Sequence, residues 1–397
     1  MTPTTKPPGA DGRSAQHLEA WAIKLAIEDA GLRREDIDGV VHAGSQVGSD
    51  SASRKLGLHS NFWFPIGRAA SGIAGAFFAS QALLTGNATY VAVSLSFTMW
   101  SEAHGMLPTG AGSATPQLAP SSSKSDKALI TRDGGGLVDL GWAAAPGASA
   151  VHGWYAARHM YEFGTTAEQL GSVALAHRAW ANRNPQARFY ERTLTMEDYL
   201  ASPWIVEPYR LMDNCVLSDV GCAFLVTTAE RATSLQKAPA YIKGIGFGDG
   251  ARKPWWDKTN FVETDAGHAK EIAFEQAGIT IEDVDVAEFY DCFTMEMILF
   301  AEDYGFCKKG EGGSFFESGV TAPGGRWPMN THGGLLSGYH CSDMGNVVES
   351  VLQLRGECGD RQVQGAEIAV ANGHGGELLL PYMCPIHGTL VLGNIPS

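Results

Sequence analysis

The chain has 397 residues, 44% of them hydrophobic, and a formal net charge of −14. That is enough for two domains, or one large fused pair with an ample core. The negative balance argues against a nucleic-acid or anionic-membrane surface, although local cations or helix N-termini can still hold a phosphate-bearing ligand.

Residues 1–13 are rich in Pro, Gly and Thr, with no apolar run of signal-peptide length. A first helix ends in Ala26-Ile-Glu-Asp-Ala-Gly-Leu and passes through a Glu-Asp turn into the apolar strand Gly39-Val-Val-His42. Ala69 to Leu84 is the most apolar segment and reads as a buried helix; its Ser71, Ser80 and Gln81, like the length of every other apolar run, argue against a membrane span. Tyr90-Val-Ala-Val-Ser-Leu is the next strand. The rhythm then breaks from about Thr98 to Asp213, where a Ser/Pro/Gly-rich stretch (Pro108 to Ser125) precedes helical patterns over His152–Phe163 and Ala167–Asn182. This region reads as an inserted lobe of the kind that shapes a substrate pocket.

Strand signals at Ala223–Thr227 and Ala238–Gly246 bracket a mid-chain join. Beyond it, Ala273-Phe-Glu-Gln-Ala-Gly-Ile-Thr-Ile-Glu-Asp-Val-Asp285 repeats the pattern of Ala26–Asp38 and leads into a strand at Val286–Phe289. Strands at Glu367–Ala371 and Thr389–Gly393 follow. The repeat implies two halves of one design, residues 14–235 (with the lobe at about 98–213) and 236–397. Strands alternating with helices make this an α/β chain whose sheets are covered on both faces. The seven cysteines include no CxxC pair, which argues against a disulfide framework and implies a reducing, cytoplasmic setting. Cys384-Pro-Ile-His387 offers two ligand types with no second pair, so no metal is expected there.

Chemistry concentrates between Glu288 and Gly356. Glu288-Phe-Tyr-Asp-Cys-Phe293 follows a strand, and Asn330-Thr-His-Gly-Gly-Leu-Leu-Ser-Gly-Tyr-His340 is Gly-rich and leads to a helix. Loops that expose Tyr and His at strand ends are suited to proton transfer.

These residues resemble the thiolase superfamily, specifically its sterol-carrier-type members. Glu288–Phe293 is similar to that group's E-L-H-D-C-F motif, and Gly324-Gly-Arg-Trp-Pro-Met-Asn-Thr-His-Gly-Gly-Leu-Leu-Ser337 resembles G-G-K-W-x-x-N-P-S-G-G-L-x-S. Tyr161-Glu-Phe-Gly-Thr-Thr, Asn184-Pro-Gln-Ala-Arg-Phe, Pro208-Tyr-Arg-Leu-Met-Asp and Ser218-Asp219-Val-Gly221 match the lobe and its exit. The resemblance implies a thiolase fold: two similar βαβαβαββ halves in a five-layer αβαβα arrangement, usually dimeric. The family's first strand, before the helix at Leu18, is not visible in this chain.

A thiolase uses a Cys at a helix N-terminus, and here Gly67-Arg-Ala-Ala-Ser-Gly72 puts Ala69 at that place. Alanine cannot form an acyl-enzyme. The H-D-C-F histidine has become Tyr290, and His340 occupies the place of the family's G-H-P histidine. This pattern resembles the thiolase-like aldolases of bacterial steroid side-chain degradation, which lack the Cys and carry Tyr in this motif. The resemblance implies retro-aldol cleavage of a bulky β-hydroxyacyl-CoA to a ketone and a shorter acyl-CoA. The CoA thioester is substrate and no cofactor is bound. Tyr290, His340 and Tyr339 are the candidate proton handlers. The backbone at Ala69 and the loop containing Asn372, His374 and Gly375 are candidate oxyanion and substrate-binding groups.

Asp291 is expected to orient backbone, Cys292 to be inert, His332 to pack locally, and Glu282 and Asp283 to be solvated. A homodimer is expected, together with a small partner combining an OB-fold and a zinc ribbon. A carbon acyltransferase of the thiolase type and a non-catalytic acyl-CoA or lipid-binding subunit are the alternatives.

Overall fold

The computed structural model describes residues 13–43, 50–66, 70–104, 106, 148–249, 261–375 and 386–396. The first half runs α1 (Ala15–Ala30), β1 (Gly39–His42), α2 (Asp50–Leu56), β2 (Phe62–Pro65), α3 (Ser71–Leu84), β3 (Val91–Thr98) and α4 (Met99–Ala103). The lobe contributes α5 (Ala148–Phe163), α6 (Ala167–Ala181), α7 (Met196–Ala201) and a hairpin of β4 (Trp204–Val206) with β5 (Tyr209–Arg210); β6 (Asp219–Val226) then completes the first sheet. Helix α8 (Ala229–Ala232) closes the first half, and the second half is β7 (Tyr241–Asp249), α9 (Ala266–Ala277), β8 (Val286–Glu288), α10 (Thr294–Tyr304), α11 (Gly312–Glu317), α12 (Met344–Leu354), β9 (Ile368–Gly375) and β10 (Ile386–Gly393).

The repeated sequence folds twice in the same way. Helix α1 stops at Gly31 with φ 69° and α9 at Gly278 with φ 66°, left-handed caps that glycine adopts without a Cβ penalty. A single 3-10 turn follows each, Arg34–Asp36 and Ile281–Asp283, with Glu282 exposed and Asp283 capping its own turn as a surface residue. The last Asp of the pattern then does one job in both halves. Asp38 accepts the N–H groups of Thr89 and Tyr90 at 2.7 and 2.9 Å, at the entrance to β3. Asp285 accepts those of Glu367 and Ile368 at 2.8 and 2.9 Å, at the entrance to β9. Each carboxylate therefore sets the register of the strand beside its own.

The first sheet has the order β2-β1-β3-β6 and the second β7-β10-β9-β8. In each, a parallel pair (β1 with β3, β8 with β9) meets an antiparallel final strand (β6, β10). Two differences separate the halves. Strand β7 has no counterpart before α1 among the described residues, in keeping with the missing first strand of the sequence. The second-half equivalent of β2 is reduced to a parallel bridge between Ala287 and Met329.

Helices α3 and α12 each pack on both sheets, α1 covers the outer face of β3 and β6, and α9 covers β7 and β10 with α10 beside it. The layer order is αβαβα. Glycines 244, 246 and 248 clear one face of β7, where a Cβ would overlap the carbonyls of Ala273 and Ala269 on α9 and of Asp265 at its N-cap. The lobe helix α6 packs against α7, α10, α11 and the π-helical turn Gly334–Gly338 that precedes His340.

Candidate functional site

The segment after β8 is anchored residue by residue. Glu288 accepts from Thr331 N–H at 3.0 Å and Oγ1 at 2.6 Å, and its other oxygen lies 2.9 Å from His332 Nδ1. Phe289 and Asn330 exchange two bonds, N–H to Oδ1 at 2.6 Å and Nδ2 to the carbonyl at 2.8 Å. Tyr290 N–H donates to Asn372 Oδ1 at 2.8 Å. Asp291 accepts the N–H groups of Leu335 and Leu336 at 2.8 and 3.1 Å, the backbone-orienting role expected of it. Strand alternation sends Phe289 into Phe300, Tyr304 and Phe306, and turns the Tyr290 ring toward His340 and His374.

The Tyr290 and His340 ring centroids lie 6.2 Å apart at 84°, an edge-to-face pair. His340 N–H donates to Ser218 Oγ at 2.9 Å, and Phe97 packs on its ring from 5.5 Å. Its loop is pinned from the lobe: Arg188 N–H bonds Gly338 O at 2.7 Å, Phe189 N–H bonds Ser337 O at 3.2 Å, and Asn184 Nδ2 bonds His332 O at 2.9 Å. Tyr290 and His340 are both buried, retaining 8% and 9% exposure.

The third expected proton handler does not join them. Tyr339 is 1% exposed, its ring packs on His332 at 5.2 Å, and burial pushes its hydroxyl well above the usual tyrosine range. Adjacent residues in extended backbone point to opposite sides, so bringing His340 to Tyr290 turns Tyr339 away. His332 is a packed, hydrogen-bonded residue, as expected.

Ala69 lies outside the described residues. Its neighbour Ala70 begins α3 in the left-handed region at φ 47°, and Asn330 (φ 51°) and Ser342 (φ 52°) share that conformation around the same loops. Such strain concentrates at functional sites. The first N–H groups of α3 are not open donors, because Asp343 Oδ2 accepts from Gly72 at 2.8 Å and Ile73 at 3.0 Å. Asp343 stands at the N-cap position of α12, yet its carboxylate serves the neighbouring helix. Gly373 permits this junction, since a Cβ there would lie 2.8 Å from the Ala70 Cα.

Asn372, His374 and Gly375 all lie on β9, buried, with Gly375 at φ 151°. Asn372 positions the Tyr290 backbone and accepts from Asn346 Nδ2 through its carbonyl at 3.2 Å. The His374 ring is 5.7 Å from Tyr290 and 4.7 Å from His387, its register partner on β10. Cys384 lies outside the described residues. Behind His374 is a residue that the sequence reading missed. Glu296 Oε1 is 2.7 Å from His152 Nδ1 and 3.6 Å from His374 Nε2. Burial pushes the Glu296 carboxyl up, but His152 and His374 together hold it below its ordinary value. Among the described residues, His152, Glu296 and His374 are the group whose atom types and spacing suit a metal ion.

The thiols near the site are buried: Cys292 donates to Glu296 Oε2 at 3.1 Å, and Cys341 is fully enclosed beside Tyr339 and Cys222. The arrangement offers two adjacent rings capable of proton transfer in a hydrogen-bonded polar surround, with no described thiol exposed beside them.

A profile of the thiolase C-terminal domain-like family matches residues 253–391. A steroid side-chain-cleaving aldolase of Thermomonospora curvata is 32% identical over 87% of this chain and 86% of that one. A 17-hydroxy-3-oxo-4-pregnene-20-carboxyl-CoA lyase of Mycobacterium tuberculosis is 31% identical over 87% and 88%. A solved Ltp2-ChsH2(DUF35) aldolase superposes with a TM-score of 0.81 at 28% identity, covering 97% of this chain and 94% of that one. With the duplicated sheets and the E-F-Y-D-C-F anchoring already in place, the chain belongs to the thiolase superfamily, on the sterol-carrier-type branch it shares with the side-chain-cleaving aldolases.

Proposed function

We propose that the protein is a carbon–carbon lyase that cleaves a bulky β-hydroxyacyl-CoA, of the steroid side-chain type, by retro-aldol chemistry. The observation that carries this reading is the Tyr290–His340 edge-to-face pair at 6.2 Å, in a chain with alanine at the thiolase cysteine position. The aldolase and CoA-lyase relatives support it. In the reaction, one ring of the pair takes the β-hydroxyl proton. The Cα–Cβ electrons pass to the thioester carbonyl as the ketone departs, and the resulting enolate is protonated at Cα. A phenol with a pKa of about 10 acts as base only when neighbouring groups favour its anion, and His340 and His374 flank it. No covalent intermediate enters. On β9, Asn372 acts in orienting Tyr290 and His374 flanks its ring.

The chain works in this reading as a homodimer, joined to a small partner with an OB-fold and a zinc ribbon; the aldolase complex with a DUF35 chain supports the second assembly. The test is to incubate the purified chain, with its partner, and a branched β-hydroxyacyl-CoA, reading products by mass spectrometry and the protein by intact mass. Ketone and shortened acyl-CoA in equal amounts, with the protein mass unchanged, are expected. An acyl adduct on the chain would establish the acyltransferase reading instead, and tight binding without turnover the non-catalytic one.

A further inference from the structure

We propose that His152, Glu296 and His374 form a binding site for a divalent transition-metal ion of the Zn2+ class. The three residues come from three separate elements, the lobe helix α5, α10 and strand β9, and all are buried. Their ligand atoms lie within 4.8 Å of one another, with Glu296 Oε1 at 2.7 Å from His152 Nδ1 and 3.6 Å from His374 Nε2. Around an ion with bonds of about 2.0–2.2 Å, tetrahedral ligand atoms stand roughly 3.3–3.6 Å apart, so small side-chain adjustments close the shell.

Glu296 Oε1 is buried and faces both imidazoles, with His152 Nδ1 at 2.7 Å and His374 Nε2 at 3.6 Å. A cation is the partner that such an oxygen and two imidazole nitrogens have in common. The other oxygen is already fixed, accepting from Cys292 Sγ at 3.1 Å and from Phe293 N–H at 3.3 Å. The His152 ring is stacked on Phe293 at 4.8 Å, which sets its plane. Outer contacts of this kind orient ligands at metal centres. Two imidazoles and one carboxylate suit zinc and its neighbours and leave a position open for water or a ligand.

An ion here would tie α5 to the second half. It would also place positive charge on His374, whose ring lies 5.7 Å from the Tyr290 ring, where it favours an anionic phenol. The site does not depend on the lyase reading, since its test reads binding.

The experiment uses the tag-free full chain, stripped with chelator and titrated with Zn2+ alone. A single equivalent with a raised Tm is expected, with binding lost in His152→Gln and Glu296→Gln and kept in His268→Gln, a surface control. Zn-edge X-ray absorption on the wild type reads the same point without a variant: a nitrogen/oxygen shell with outer scattering from two imidazoles. No saturable binding, binding unchanged in both site variants, a sulfur-bearing shell, or several weak equivalents marking an adventitious ion only would each overturn the proposal.

Discussion

Asp343 shows how much one buried carboxylate holds at this site. It accepts two N–H groups from a helix 270 residues earlier in the chain, joining the first half to the loop that carries His340. Asp343→Ala leaves those donors without an acceptor and is expected to cost about 1–3 kcal/mol in urea denaturation, with Asp343→Asn recovering part; equal stability of Ala and wild type would refute the cap. His177 and Asp291 form a second buried pair, 3.3 Å apart. Burial drives His177 down to about 4 and Asp291 up to about 7. Between those values the folded pair and the unfolded pair each hold one proton, on the carboxyl when folded and on the imidazole when unfolded, so their joint contribution to stability is flat with pH. His177→Gln leaves only Asp291. The folded state then holds more protons than the unfolded one, and stability falls as pH rises, by up to about 1.4 kcal/mol per unit. The variant-minus-wild-type difference should grow from about pH 4.5 to about pH 6.5; a constant difference would contradict the assignment. Tyr290, His340 and Asp291 were legible in the sequence because motif and strand end coincide. Asp343, Glu296 and His152 were not, because their partners lie on other elements far along the chain and no local spacing marks them.

At the scale of elements, the repeated helix–turn–strand unit was readable because its Gly caps act locally and its terminal Asp recurs at the same place in both copies, although that Asp bonds a strand 51 or 82 residues further on. Strand β2 was missed: four residues on a sheet edge, mostly exposed, give no apolar alternation to read. The lobe helices α5 and α6 fell where their periodicity predicted. Helix α12 depends on a charge network that the sequence did not announce. Arg361 Nε and Nη2 donate to the two Glu349 oxygens at 2.7 and 3.0 Å, and Thr331 Oγ1 joins Glu349 to Glu288. Burial pushes Glu349 up, but Arg361 holds it below its usual value. Arg361→Met strands this carboxylate beneath the Gly-rich loop and is expected to cost roughly 3–5 kcal/mol. A loss below about 1 kcal/mol by chemical denaturation would show that the network is solvent-screened.

At the scale of the whole molecule, the two sheets and the helices between them bring loops from both halves to one place: Ser218 and the start of α3 from the first, Tyr290, His340 and β9 from the second. Among the described residues no helix is long and apolar enough to cross a membrane. Strand β2, at the edge of its sheet among the described residues, exposes Trp63 at 43% and Phe64 at 36%, apolar surface of the kind that sheet edges ordinarily cover. Light scattering after size exclusion should give a dimer that Trp63→Glu weakens; a wild-type monomer at all concentrations would remove the homodimer from the proposal. The central claim is that paired rings, rather than a tethered acyl group, break the carbon–carbon bond. It is tested most directly by single-turnover cleavage in Tyr290→Phe with the partner assembled. The rate should fall by about 10²–10⁴ while substrate affinity holds, and cleavage at the wild-type rate would contradict the account.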